Sequence, residues 1–214
     1  MNWEGMPSEA EYDAAFILKN GRNVHARMKR ATVGIVGLGG LGSNVSVMLA
    51  RAGVWKFVIA DYDTIKLPNL CRQNFQFKDI GSRKTDVVEE MILNVNPYAK
   101  VEKHFVKIDA TNASTIFSGC DVVCEAMDLS DEKTEFIDKM VNTCPDITII
   151  SGSGMAGYGR SNAIRTIQSL KQLYICGDMG DVVDRAPVII APRANICAGH
   201  VANTAIAVMM GEKV

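Results

Sequence analysis

Ala31-Thr32-Val33-Gly34-Ile35-Val36-Gly37-Leu38-Gly39-Gly40-Leu41-Gly42-Ser43 decides the fold. Residues 31–38 are apolar and carry the β-branched Val33, Ile35 and Val36, which predicts a buried strand. Residues 43–52 read as a helix, closed by Gly53. Between them lies a G-x-G-x-x-G turn made of Gly37, Gly39 and Gly42, with Gly40 beside it. Gly37 permits the tight turn, Gly40 a close backbone approach, and Gly42 opens the helix. Free N–H groups at that helix start, together with its dipole, suit a phosphate. The pattern carries weight because it follows a strand and precedes a helix.

Outward from this unit the chain keeps alternating. Residues 56–61, 101–108, 121–127 and 147–152 read as further strands, and residues 80–95 and 131–142 as helices. Such alternation implies right-handed βαβ crossovers and a mostly parallel sheet covered by helices on both faces. Beyond Gly159 the pattern changes. Residues 163–169 and 173–176 look like short antiparallel strands, and residues 193–210 like a closing helix. Residues 1–30 read as a helical N-terminal extension to a nucleotide-binding domain over residues 31–214. The expected class is α/β and Rossmann-like, with a modified C-terminal half.

The chain has 214 residues, a length that suits one domain with a short extension. It is 48% hydrophobic, enough to build a substantial core. Lys and Arg number 23 against 24 Asp and Glu, so no global positive field exists to grip nucleic acid or an anionic membrane. The first twenty residues contain Glu4, Glu9, Glu11 and Asp13 and no apolar run of signal-peptide type. The apolar stretch at 196–210 is interrupted by His200 and Asn203 and is too short to span a bilayer. Cys71, Cys120, Cys124, Cys144, Cys176 and Cys197 form no C-x-x-C pair, which argues against structural zinc and for reduced thiols in a cytoplasmic protein.

Asp61 stands 19 residues after Gly42, where a carboxylate accepts from ribose hydroxyls. An NAD(P)-dependent oxidoreductase shows the same glycine turn and the same acid, so two readings part here. The next stretch separates them: Asp61-Tyr62-Asp63-Thr64-Ile65-Lys66-Leu67-Pro68-Asn69-Leu70-Cys71-Arg72-Gln73. A dehydrogenase has no use for Asp63, Asn69, Arg72 and Gln73 crowded beyond the ribose acid. The stretch resembles the D-x-D…N-x-x-R-Q signature of the ThiF/MoeB/HesA family, the adenylating enzymes related to ubiquitin activators. Residues 154–159 (Gly-Met-Ala-Gly-Tyr-Gly) and 173–178 resemble its short, zinc-free ThiF-like group.

The resemblance implies a reaction between ATP and the C-terminal Gly-Gly carboxylate of a small sulfur-carrier protein, releasing pyrophosphate, most directly in thiamine thiazole synthesis, with molybdopterin synthesis or another sulfur transfer as the alternative. It implies phosphate contacts from Arg72 and from Lys84 at a helix start, where cations over a triphosphate lower the barrier. It implies Mg2+ on Asp128, a carboxylate at the end of a parallel strand, since hard cations take oxygen ligands. The family commonly places Asn after that aspartate; here Leu129 follows. It also implies an arginine from the N-terminal region reaching a partner subunit's ATP site, for which Arg22 is chosen over Arg27 and Arg30. A homodimer is implied, and the alanine-rich closing helix, with Ala198, Ala202, Ala205 and Ala207, agrees with one. Longer relatives carry a cysteine before the Ala-Pro turn; here residues 182–188 have none before Ala191-Pro192, and Cys176 is nearest. The chain is therefore assigned the adenylation step alone, with a catalytically silent nucleotide-binding scaffold as a further alternative. Glu125 and Asp131 are read as structural or solvated acids, and His104 and His200 as structural.

Overall fold

A computed structural model describes residues 5–153, 155–180, 188–212 and 214. Seven strands form one sheet in the order β3-β2-β1-β4-β5-β7-β6. They are β1 Thr32–Val36, β2 Lys56–Ala60, β3 Lys100–His104, β4 Val122–Glu125, β5 Thr148–Gly152, β6 Arg165–Leu170 and β7 Leu173–Gly177. The helices are α1 Glu9–Asn20, α2 Arg22–Arg30, α3 Gly42–Ala52, α4 Lys84–Val95, α5 Ala113–Phe117, α6 Ser130–Thr143 and α7 Ala191–Met210. All neighbouring strands are parallel except β6, which runs against β7. The Rossmann-like α/β expectation holds. The expected short antiparallel strands of the C-terminal half are β6 and β7, and β7 also joins the parallel sheet beside β5.

Side chains alternate across the sheet, as a period of two requires. Val33 and Ile35 of β1, with Phe57 and Ile59 of β2, face a core shared with α3, α4 and α7. Val36, Val58 and Ala60 face a second core with Phe117 of α5 and Phe136 and Met140 of α6. The Phe117 and Phe136 rings meet edge to face at 5.8 Å. Met28 of α2 joins the first core. Helix α1 buries no residue fully; Tyr12 and Phe16 stack at 4.5 Å, and Tyr12 meets Trp55 edge on.

Two element boundaries differ from the sequence reading by four residues, each for an identifiable reason. The fourth helix starts at Lys84 rather than near Ile80. Gly81 has φ of 91°, outside the right-handed helical region, and Thr64 pairs with Arg83 as an isolated bridge. The third strand stops at His104 because its only neighbour, β2, ends at Ala60. Residues beyond it turn inward toward the C-terminal ends of the strands.

The chain reaches β3 on one side of β1 and then crosses to β4 on the other. This reversal of strand order leaves a crevice beyond the carboxyl ends of β1 and β4, where open α/β sheets bind ligands.

Candidate functional site

The glycine turn closes the floor of that crevice. Gly37 has φ of 81°, and a Cβ there would lie 2.7 Å from the carbonyl oxygen of Ala126. Only glycine fits the conformation and the space. The turn is pinned from behind by α3: Ser43 Oγ donates to Gly39 O at 2.7 Å and Asn44 Nδ2 donates to Gly40 O at 2.7 Å. Leu38 N–H donates to Asp61 Oδ2 at 2.7 Å. Among the described residues, the amides of Gly39, Gly40 and Leu41 have no backbone partner. They are unused donors at a helix start, a ready anion cradle.

Asp61 follows the last residue of β2. Its Oδ1 accepts from Asp63 N–H at 2.7 Å, and its Oδ2 lies 3.7 Å from Lys84 Nζ. Burial pushes the Asp61 carboxyl up from the usual range, with Lys84 and the two amides pulling against it. Lys84 is the first residue of α4, and its side chain is 6% exposed. Its Nζ donates to Asp63 Oδ2 at 2.7 Å, and its own amide donates to Asp63 O at 3.1 Å. Asp63 thus holds the lysine in place while Asp61 shapes the turn.

The other sequence-predicted groups divide. Arg72 lies along the turn, its Cγ 3.5 Å and Nε 3.7 Å from where a Gly40 Cβ would sit. Gln73 is buried, its Nε2 is 3.6 Å from the corresponding Gly39 position, and its Oε1 has no partner among the described residues. Both oxygens of Asp128 lie 4.0 Å from that same Gly39 position. Arg72, Gln73 and Asp128 therefore converge on Gly39–Gly40. Asn69 stays local: its Oδ1 accepts from Lys66 N–H at 2.8 Å and closes the 3-10 turn Leu67–Cys71. Arg22 is exposed at the start of α2 and does not line the crevice.

The crevice has a volume of about 210 Å³. Gly37, Gly39, Asp61, Asp63, Lys84 and Asp128 form its polar side, and Val106, Ile108, Met127 and Leu129 an apolar wall. A polar end and an apolar end in one cleft match the two halves of a nucleotide. The wall was missed from sequence, because Val106 and Ile108 read as the continuation of a strand. No group of three or more His, Cys, Asp or Glu able to hold a metal exists among the described residues. Asp128 is exposed and, among the described residues, has no ion-pair or hydrogen-bond partner. A lone free carboxylate beside an anion cradle fits Mg2+, which keeps most of its waters and takes remaining ligands from phosphates.

Burial disfavours the thiolate at Cys120, Cys124, Cys176 and Cys197. Cys176 is fully buried against Thr166 and Thr204, and burial pushes its thiol up. Cys197 is pushed up to about 12 for the same reason. Cys71 is exposed, its Sγ donating to Pro68 O at 3.1 Å. The cysteine-free segment before Ala191-Pro192 lies outside the described residues except for Val188. His104 pairs with Glu102 at 2.8 Å and His200 Nδ1 with Thr166 at 3.1 Å, both away from the crevice lining. Glu125 is fully buried and paired with Lys133 at 2.5 Å.

Sequence reasoning also missed Arg193. It is 2% exposed and meets Asp178 at 2.7 Å. It also donates to Ala156 O at 2.9 Å and Gly159 O at 2.8 Å, fastening the loop that resembled the ThiF-like group. Its one sequence signal is a cation in the first turn of a helix that carries no other Lys, Arg, Asp or Glu.

A model of the ThiF family matches residues 13–214. The adenylyltransferase and sulfurtransferase MOCS3 of Culex quinquefasciatus is 36% identical over 121 residues, which are 56% of this chain and 28% of that protein. The ubiquitin-like modifier-activating enzyme 5 of Caenorhabditis elegans is 35% identical over 82 residues, or 38% of this chain and 20% of that one. The chain thus spans only those minor fractions of the curated relatives it matches. Among solved structures, E. coli tRNA N6-threonylcarbamoyladenosine dehydratase, TcdA, shares the fold with a TM-score of 0.83 over 95% of this chain and 97% of that one, at 18% identity. E. coli MccB, solved with AMPCPP and MccA, gives a TM-score of 0.69 over 96% of this chain and 64% of that one, at 24% identity. With the family model spanning nearly all of the chain, its glycine turn, paired acids and lysine brought to one crevice and its arginine laid along the turn, this protein belongs to the ThiF family.

Proposed function

We propose that this protein adenylates the C-terminal Gly-Gly carboxylate of a small sulfur-carrier protein with ATP, most directly for thiamine thiazole formation, and that it works as a homodimer in the cytoplasm. The observation that carries this reading is the convergence of Arg72, Gln73 and Asp128 on a glycine turn with unused amides, with Lys84 beside it. In a dehydrogenase that cluster would face no triphosphate and serve no step.

In the reaction, a carboxylate oxygen forms a bond to the α-phosphorus of ATP. The bond from that phosphorus to the bridging oxygen breaks, and pyrophosphate leaves with the electron pair. The turn amides donate to phosphate oxygens. Arg72 and Lys84 offset the charge that gathers on the departing pyrophosphate, and Lys84 is already held by Asp63, so little reorganisation is needed. Asp61 accepts from ribose hydroxyls, using lone pairs that its two amide bonds leave free. The apolar wall of Val106, Ile108, Met127 and Leu129 takes the base. Asp128 would hold Mg2+, which neutralises phosphate charge when bound. Arg22 is proposed to act only on the partner subunit's site.

The likeness to TcdA favours a second reading, in which the activated carboxylate is carried by tRNA. A net charge of −1 speaks against it, because polyanion binding rests on a basic surface. ATP–pyrophosphate exchange separates the readings. Exchange that requires a Gly-Gly-ended carrier supports the proposal. Exchange that requires modified tRNA replaces it with the second reading, and NADH binding without exchange overturns both.

A further inference from the structure

Glu125 ends β4 behind three apolar residues, Val122, Val123 and Cys124, and is completely buried. A buried ion pair is a poor source of stability, since apolar residues of similar volume often serve as well or better. Its value must therefore come from where it points. Glu125 Oε1 accepts from Met127 N–H at 2.7 Å, one residue before Asp128. Its Oε2 accepts from Lys133 Nζ at 2.5 Å and from Ser151 Oγ at 2.6 Å. Lys133 comes from the first turns of α6 and also donates to Gly152 O at 2.7 Å, at the end of β5. The ends of β4 and β5 and the start of α6 are locked together around the turn that carries Asp128. Asp128 itself has no partner among the described residues, so its direction is inherited from that turn.

We propose that Glu125, Lys133 and Ser151 form a positioning unit that aims Asp128 at the crevice for Mg2+-bound nucleotide. The inference rests on the reading of Asp128 given above and adds to it residues that touch neither metal nor ATP. Groups that orient a metal ligand typically change metal affinity by about 10–100-fold when removed. A purely structural ion pair would change melting temperature and leave metal dependence alone.

The test is calorimetric binding of ATP to the full chain, with Mg2+ and with EDTA, read as the factor by which Mg2+ tightens binding. Thermal melts are run beside it. Asp128→Asn is expected to abolish the tightening. Lys133→Met is expected to cut it by about tenfold while binding in EDTA stays at the wild-type value. Ser151→Ala removes one neutral donor and is expected to lower it less, in the same direction. The double variant Glu125→Gln/Lys133→Met is expected to regain most of it. Its carboxamide would still accept from Met127 N–H and donate to Ser151 Oγ, with no charge left unpaired. Wild-type tightening in both Lys133→Met and Ser151→Ala overturns the positioning role. Should Lys133→Met not fold, Ser151→Ala decides, and wild-type tightening there overturns the positioning role. If Asp128→Asn keeps the tightening, the assignment of Asp128 falls and the positioning unit with it. A wild-type protein that binds no ATP at all refutes the proposed function itself, a result distinct from the others.

Discussion

Replacing Gly42 by alanine tests the glycine turn directly. Gly42 is the first residue of α3, where alanine is the better helix former by about 1 kcal/mol. Propensity alone therefore favours the variant. The added Cβ, however, would lie 1.9 Å from Gly37 O and 3.0 Å from Gly37 C, against about 3.3 Å for an ordinary carbon–oxygen contact. The turn must open by more than an ångström, and the atom met is backbone. Gly37 is held by its own hydrogen bond to Ala60 O at 2.9 Å, so the strain spreads into β2. Overpacking of this kind costs about 1–3 kcal/mol, which at roughly 2–4 °C per kcal/mol lowers Tm by several degrees. Gly39→Ala is the matched control. Its Cβ would lie 3.6 Å from Gln73 Nε2 and 4.0 Å from Asp128, ordinary contacts that leave the fold undisturbed. The methyl group would instead stand between the groups that converge there. Thermal melts and ATP titration are the assays. Gly42→Ala is expected to melt lower and bind ATP poorly, and Gly39→Ala to melt as wild type and bind poorly. A Gly42→Ala protein with unchanged melting and ATP affinity would refute the steric reasoning.

Lys84→Met should lower pyrophosphate exchange by about 10²–10³-fold while the Asp61 amide bonds keep the turn folded; near wild-type exchange would remove Lys84 from the reaction. Arg193→Met leaves Asp178, with a side chain 3% exposed, without its cation. Breaking such a pair costs about 3–5 kcal/mol, read as a fall in the denaturation midpoint, and Arg193→Met/Asp178→Leu should recover much of it. The thiols give a pH test. Burial raises Cys176 and pushes Cys197 up to about 12, so their reactive thiolates are absent at neutral pH and form only on strong alkalinisation. A maleimide at pH 7 should label exposed Cys71 and spare Cys176 and Cys197 in the folded chain; mass spectrometry showing labelled Cys176 would reverse the assignment of that residue as packing.

Much of the core was legible because its signals are local. The run from Val33 to Gly42 states a strand, a turn and a helix start within ten residues, and each piece follows from side-chain shape and φ alone. Asp61, Lys84 and Asp128 stood out as charges at strand ends and a helix start, positions that the sheet topology turns toward one crevice, whereas Arg72 was legible only through the motif it belongs to. Asn69 was legible as part of a motif, but its role was not, since only the folded turn shows its side chain closing on Lys66 N–H. The start of α4 was misread because an apolar pattern is blind to the conformation of Gly81.

What tertiary structure alone decided lies in contacts between distant segments. Lys133 meets Glu125 and Gly152, and Arg193 meets Asp178 and Gly159, across strands and helices that no periodicity links. Val106 and Ile108 become a wall only because β3 ends where β2 ends, leaving the chain to turn over the crevice. Sequence periodicity encodes which face of an element is apolar, so it determined the layered sheet and the nucleotide turn. It does not encode which polar atoms meet once those faces are packed. Packing set those distances, and with them which charges are buried, paired and aimed.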